Sequence, residues 1–334
     1  MNGKSLTLTA TPISHPLPPV SAVPIIHVAC GVLINPQGEV LLAQRPEGKV
    51  AAGWWEFPGG KIEAGETALA ALTRELHEEL GVTVRVAEPL IRFRHAYTNR
   101  TVILDTWRVS GFEGVPRSLE GQALRWLPVA RFAELSPLLP TVEPIQRALT
   151  LPRTLVFTPP VIDAAALLAG LPHLPARCLL RLRCPGLGES AYVDLARTVL
   201  LAATALGIAV LLDRDPAQVA ALGAAGWYAT SAALMRCAER PAAGLALASV
   251  HDAPQLAQAQ SLGFDAAVLG PVQPTASHPG APTLGWPGFA ALRADLPLPV
   301  YAIGGVGAED WPAARAANAQ GLAGISAYWR GSGG

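Results

Sequence analysis

Residues 60–82 read GKIEAGETALAALTRELHEELGV. Within them Gly60, Glu66, Arg74, Glu75, Leu76, Glu78, Glu79, Gly81 and Val82 occupy the pattern G-x5-E-x7-R-E-U-x-E-E-x-G-U, with U an aliphatic residue. At roughly 100° per residue, Leu69, Leu72, Leu76 and Leu80 fall on one apolar stripe, and Glu75, Glu78 and Glu79 share an adjacent arc about 100° wide. The spacing predicts an amphipathic helix that packs by one face and is acidic on the next. Like charges three and four residues apart cost an isolated helix roughly 0.2–0.5 kcal/mol per pair, so such an arc needs a counter-charge. Hard carboxylate oxygens suit Mg²⁺, with Mn²⁺ as the alternative, and Mg²⁺ commonly sits between one or two carboxylates and substrate phosphates. Just upstream, Phe57-Pro58-Gly59-Gly60-Lys61 reads as a strand end and a tight turn whose glycines let backbone groups approach an anionic ligand. A turn and a solvated glutamate face would explain these features singly; the complete spacing favours metal and phosphate chemistry.

This constellation resembles the full signature of the Nudix hydrolases. The segment QRPEGKVAAGWWEFPGGKIEAGET, residues 44–67, is similar to the corresponding stretch of the MutT type, the 8-oxo-dGTP diphosphatases. The resemblance implies an α/β/α sandwich that hydrolyses a noncanonical nucleoside triphosphate to monophosphate and pyrophosphate with Mg²⁺. It implies metal ligation by Glu75, Glu78 and Glu79, by the carbonyl of Gly59 or Gly60, and by a late carboxylate, Glu120. Glu79, Glu78 or Glu120 would accept the proton of the attacking water, and Arg74 would orient a neighbouring glutamate. Arg45 stands where the family has an arginine near the nucleotide, and Lys61 and Phe57 join it as substrate-side candidates. In Pro140-Thr141-Val142-Glu143-Pro144, Val142 takes the place of an asparagine that reads the purine edge. Valine makes none of those hydrogen bonds, so guanine selectivity is not expected to carry over. Trp54 and Trp55 are candidates either for stacking on the base or for core packing.

At 334 residues and 51% hydrophobic content the chain can fill two cores. A formal net charge of zero with 15% charged residues leaves no basic footprint for a nucleic-acid duplex or an anionic membrane, which favours a small-molecule partner. Cys30, Cys178, Cys184 and Cys237 follow neither metal nor disulfide spacing and read as small buried residues in a reducing compartment. Residues 1–23, rich in Thr, Ser and Pro, read as a flexible tail without signal-peptide organisation. The apolar stretch 199–212 is broken by Gly207 and followed by Asp213, which suits a helix-to-strand passage better than a membrane span. The expectation is a soluble cytoplasmic protein. A Nudix domain is expected over 24–150, with strands at 26–34, 40–43, 91–94 and 101–109, a closing helix at 141–149, and a boundary at Leu151-Pro152.

Beyond the boundary, short apolar runs alternate with Ala-rich helical stretches. Runs at 155–157, 178–182, 208–212, 226–228, 245–249, 266–269, 300–303 and 322–326 predict a compact (β/α)8 TIM barrel over 151–330. Loops after the seventh and eighth strands of that fold often hold phosphate, and Gly304-Gly305-Val306-Gly307 and Ser326 fall there. With the segment LGPVQPTASH, residues 269–278, they resemble thiamine phosphate synthase and its TenI-type relatives. The resemblance implies a site for a thiamine-type phosphate at Arg181, Arg183, Ser277, His278, Gly304, Gly305 and Ser326. The chain departs from that family at Asp213-Arg214, where the synthase has Asn-Asp, at Ala233, where it has an acidic metal ligand, and at His278, where it has a phosphate-binding lysine. Two readings follow. In the first, a Nudix pyrophosphohydrolase carries the barrel as an accessory ligand-binding module. In the second, the barrel captures a thiamine-type phosphate and the Nudix half cleaves a related diphosphate.

Overall fold

The computed structural model describes residues 23–160, 163–275, 280 and 282–329. Residues 1–22 of the expected tail, together with Ser277 and His278, lie outside the described residues. The first half contains β1 (Ile25–Leu33), β2 (Val40–Gln44), β3 (Trp55–Glu56), β4 (Gly59–Lys61), α1 (Ala68–Leu80), β5 (Thr83–Tyr97), β6 (Arg100–Glu113), β7 (Leu124–Leu127) and α2 (Val142–Thr150). A four-stranded sheet runs β4-β1-β6-β5 and a three-stranded sheet runs β3-β2-β7. β1 pairs antiparallel with β4 and parallel with β6.

Helix α1 forms where the sequence places it. Thr67 caps its start by accepting from the Ala70 N–H, and Gly81 ends it at φ 69, a left-handed conformation that glycine adopts freely. Ala71, Leu72, Leu76 and Leu80 are fully buried against Ala29 and Leu33 of β1. Gly31 permits this approach, because a Cβ there would crowd the Leu72 and Leu76 side chains. Leu69 does not join the packed face as expected. It lies in the first helical turn and is 42% exposed, while Ala71 takes an inward place. The residues expected to turn at Gly59-Gly60 instead form β4, paired with Val28, Ala29 and Cys30. Strands β5 and β6 are much longer than their apolar cores at 91–94 and 101–109, because they pair as one hairpin that continues past those cores from Thr83 opposite Glu113 to Tyr97 opposite Arg100.

The second half contains β8 (Thr154–Phe157), α3 (Ala164–Gly170), β9 (Leu179–Leu182), α4 (Glu189–Ala205), β10 (Ala209–Leu212), α5 (Pro216–Ala221), β11 (Gly226–Ala229) and α6 (Ser231–Arg236). It continues with β12 (Leu245–Val250), α7 (Ala253–Ser261), β13 (Ala266–Leu269), α8 (Gly285–Arg293), β14 (Val300–Ile303), α9 (Trp311–Ala316) and β15 (Gly321–Gly324). The strands close into one parallel barrel in the order β10-β11-β12-β13-β14-β15-β8-β9. Each of the eight expected apolar runs contains a barrel strand, although Cys178, Ile208, Ile325 and Ser326 fall outside β9, β10 and β15. Cys30, Cys178 and Cys184 are buried, Cys237 is half-buried, and all four are free thiols. No helix among the described residues is long and apolar enough to cross a membrane.

The two halves meet through barrel segments that precede strands. Gln320, before β15, donates to the Ala148 and Leu151 carbonyls at 3.1 and 3.0 Å. Arg153, before β8, pairs with Glu88 of β5, and Arg147 of α2 reaches the Phe264 carbonyl before β13. The first half therefore sits against the N-terminal end of the barrel. The mouth, where this fold places its sites, opens at the other end.

Candidate active site

Two adjacent glycines build the site. Gly59 has φ 140, and a Cβ there would overlap the main chain of Ala29 and Cys30, so β4 lies against β1 only because this residue is glycine. Its N–H donates to Glu79 Oε2 at 3.0 Å. At Gly60 the space that a Cβ would fill is taken by the Glu75 carboxylate. The anion for which this glycine pair makes room is, in the first instance, the protein's own.

Arg74 explains the spacing of the remaining charges. Its guanidinium donates to Glu66 at 3.1 and 3.0 Å, to Glu75 Oε1 at 2.8 Å, to Glu78 Oε2 at 3.2 Å and to the Lys61 carbonyl at 3.0 Å. One cation thus offsets three carboxylates on and ahead of α1 and ties the helix to β4. These hydrogen bonds raise the Arg74 pKa, with those to Glu66 and Glu75 foremost. Arg74 orients glutamates and does not line the cavity beside them.

That cavity, of about 640 Å³, has an acidic end and an apolar end. Glu56, Glu75, Glu79 and Glu120 line the first, with Lys61, Lys49 and Arg45 at its edge. Glu79 is pushed up to about 7, first by burial and then by the like charges of Glu120, Glu75 and Glu56, against the lowering effect of the Gly59 N–H. Arg45 holds Glu56 through two contacts at 2.7 and 2.8 Å and also donates to the Val50 carbonyl. Burial nonetheless raises the Glu56 pKa, with Arg45 opposing. Glu120 lies at the open side, 3.2 Å from Lys49. Glu78 is mostly exposed and is not part of the lining.

The apolar end is walled by Val28, Val102, Leu104 and Leu139, with Tyr97, Arg100 and Thr141 as its polar groups. Arg100 lies 4.9 Å over the Tyr97 ring, and the Tyr97 hydroxyl shares a hydrogen bond with Thr141. Phe57 and Val142, expected on the substrate side, are 4% and 1% exposed and belong to the core behind the cavity. Strand alternation turns Phe57 toward Phe132 and leaves Glu56 on the cavity, and α2 turns Val142 inward beside the lining Thr141. Trp55 is likewise core, and Trp54 packs against it. The sequence reading missed Glu56, Tyr97, Arg100 and Thr141. Glu56 was readable from period-two alternation between two aromatic residues; the others depend on the β5–β6 hairpin folding back over the helix start.

The acidic end offers oxygen donors of the kind a hard divalent cation takes, and the like charges of Glu120, Glu75 and Glu56 add to burial in raising Glu79. As they stand, no three His, Cys, Asp or Glu side chains among the described residues are gathered for metal ligation. The expected cluster of Glu75, Glu78, Glu79 and Glu120 is held apart, because Arg74 draws Glu75 and Glu78 while Gly59 holds Glu79.

A second cavity of about 640 Å³ opens at the barrel mouth and is lined by Gly304, Gly305, Ser326, Ser249 and His251. Arg181 is not part of it. Its side chain points into the barrel, 5% exposed, where it pairs with Asp213 at 2.9 Å and lies 4.0 Å over the Tyr228 ring. Arg183 also lies off the lining, with its N–H donated to Thr158 Oγ1. The charge of Arg181, which the sequence places at this mouth, is therefore directed within the barrel to Asp213.

The relatives that share this glycine-seated acidic helix are hydrolases of diphosphate bonds. Residues 29–146 match the NUDIX domain family and residues 174–328 the thiamine monophosphate synthase family. The CTP pyrophosphohydrolase of Escherichia coli is 43% identical over 94 residues, 28% of this chain and 70% of that protein. The 8-oxo-dGTP diphosphatase of Haemophilus influenzae is 42% identical over 103 residues, 31% of this chain and 76% of that protein. The Escherichia coli 8-oxo-dGTP diphosphatase is 35% identical over 102 residues, 30% and 79% of the two chains. The chain belongs to the Nudix family, whose members use divalent metal ions, and carries a thiamine monophosphate synthase-type domain in its second half.

Proposed function

We propose that the Nudix half hydrolyses a noncanonical nucleoside triphosphate of the 8-oxo-dGTP kind to the monophosphate and pyrophosphate with Mg²⁺. The observation that carries this reading is Glu79: pinned by the Gly59 N–H, facing the cavity, and pushed up to about 7. A carboxylate with a pKa near the working pH is suited to take a proton from water. Glu75 and Glu120, with a Gly59 or Gly60 carbonyl, would hold the metal, with Glu78 able to join from outside, which leaves Glu79 to take the proton. Bound there, Mg²⁺ would neutralise the phosphates and acidify water. Lys61 supplies a positive charge to the phosphate chain, and Arg74 keeps Glu75 over Gly60. The base is read by the apolar end, through Tyr97, Arg100 and Thr141. With Val142 buried in place of an asparagine, this wall supports a wider choice of base than guanine.

The barrel is read as an accessory module that takes a phosphate-bearing ligand at Gly304, Gly305 and Ser326, with the unit boundary at 150–151. Loss of a free Arg181 to Asp213 argues against synthase chemistry there. The test is to offer the full chain 8-oxo-dGTP, CTP, ordinary nucleoside triphosphates and a thiamine diphosphate analogue with Mg²⁺, and to separate the products. Monophosphate and pyrophosphate from a nucleotide are expected. Cleavage of the thiamine compound alone would move the function to the second reading, and survival of every diphosphate would overturn both.

A further inference from the structure

β5 is an outer strand of its sheet, so the main-chain groups along its free edge have no strand partner. Such an edge frays and invites unwanted pairing unless it is covered. The floor of the barrel takes these groups up one by one. Arg92 donates its N–H to Asn318 Oδ1 at 3.0 Å, and Asn318 Nδ2 donates to the Arg92 carbonyl at 2.8 Å. The side-chain amide of Asn318 thus does what a peptide of a neighbouring strand would do. Arg293 donates to the same carbonyl at 3.1 Å, and its other donors reach the Asn318, Ala294 and Leu296 carbonyls at 3.2, 3.1 and 2.7 Å. Arg94 donates its N–H to the Asp295 carbonyl at 2.7 Å. Arg293 is 1% exposed, and this set of carbonyls offsets part of the desolvation that pulls its guanidinium pKa down.

Three residues beyond Arg94, β5 delivers Tyr97, and β6 begins at Arg100; both line the Nudix cavity. The two strands are paired from Arg92 with Asp105 to Tyr97 with Arg100. A strand fixed at Arg92 and Arg94 therefore presents Tyr97 and Arg100 in one position. We propose that the barrel floor serves as the missing neighbour of β5, and that Asn318 and Arg293 are positioning residues for the Tyr97–Arg100 wall of the nucleotide cavity. The barrel then contributes to hydrolysis through its floor, at the end opposite its own mouth. This inference rests on the proposed Nudix reaction for its kinetic readout, whereas its hydrogen-exchange readout stands without it.

The experiment uses the full chain with Asn318→Gly. Asn318 holds φ 60, which glycine adopts freely, so the variant removes two hydrogen bonds without backbone strain. The KM for the nucleotide is expected to rise about three- to tenfold with kcat within about twofold, as for loss of binding uniform between ground and transition states. Amide exchange over residues 92–104 is expected to accelerate about tenfold, as for two lost hydrogen bonds. Arg293→Lys, which keeps a cation but loses the fork, is expected to move both readouts the same way. A purely structural contact would lower the melting temperature and leave KM unmoved, and that result would overturn the proposal, as would unchanged exchange at 92–104 in both variants. Should the wild-type chain cleave no nucleotide, the functional reading fails separately, and exchange alone decides the positioning claim.

Discussion

Replacing Gly60 by alanine separates the geometry of the site from the stability of the fold. Gly60 is not among the positive-φ glycines, so alanine meets no backbone penalty there. Its methyl group would, however, occupy the space of the Glu75 carboxyl carbon and both oxygens. To restore normal van der Waals separation the carboxylate must retreat by about 1 Å or more. Glu75 is a flexible side chain, so the retreat costs little in folding, but it breaks the 2.8 Å bond to Arg74 and moves an oxygen donor off the cavity. A misplacement of about 1 Å in a catalytic constellation costs on the order of 10²-fold in rate. In a Mg²⁺-dependent assay of pyrophosphate release, Gly60→Ala is therefore expected to lose about 10²-fold in kcat/KM while its urea midpoint shifts little. Activity within about threefold of wild type would refute the reasoning, because Glu75 would then not need its place over Gly60.

In the metal-free protein Glu79 makes stability fall with pH. Its folded pKa, about 7, stands above the usual carboxylate value, so its contribution is present in acid and lost as pH rises through about 7, by up to about 3 kcal/mol. Urea unfolding at pH 5 and pH 8 should show this loss in wild type and not in Glu79→Gln; equal slopes would count against it. Arg181→Met leaves Asp213 buried without its main partner and is expected to cost about 3 kcal/mol, most of it recovered when Asp213→Leu is added. Equal stability of the single variant and wild type in denaturant titrations would contradict that. Leu72→Ala, at a fully buried position over Gly31, should cost about 2–5 kcal/mol by the same measurement and loosen α1 beneath the site. A loss under about 1 kcal/mol would mean that α1 is not anchored there.

The parts of the fold most legible in sequence are those where one periodicity dominates. The α1 glutamates and leucines repeat at helical spacing over a surface that is packed on one side, and each barrel strand is a short apolar run bounded by polar helix ends. β4 was hidden because its pairing with β1 depends on a glycine at φ 140, which carries no pattern of its own. Arg181 was misplaced for a related reason: correspondence with the synthase puts it at the phosphate site, and only barrel closure brings Asp213 from the adjacent strand region within 2.9 Å. Phe57 and Val142 were assigned by correspondence in sequence to the substrate side, while the alternation of β3 and the rotation of α2 give the cavity their neighbours, Glu56 and Thr141. The docking of β5 on Asn318 spans 226 residues and leaves no local trace.

The central claim, that Glu79 drives diphosphate hydrolysis from the wall of the Nudix cavity, is tested most directly by single-turnover kinetics of Glu79→Gln with the hydrolysed nucleotide and Mg²⁺. A fall in the chemical rate on the order of 10³-fold, with the nucleotide still bound within about tenfold of wild-type affinity, is the expected result. A Glu79→Gln protein that turns over its nucleotide within about tenfold of the wild-type rate would contradict the account.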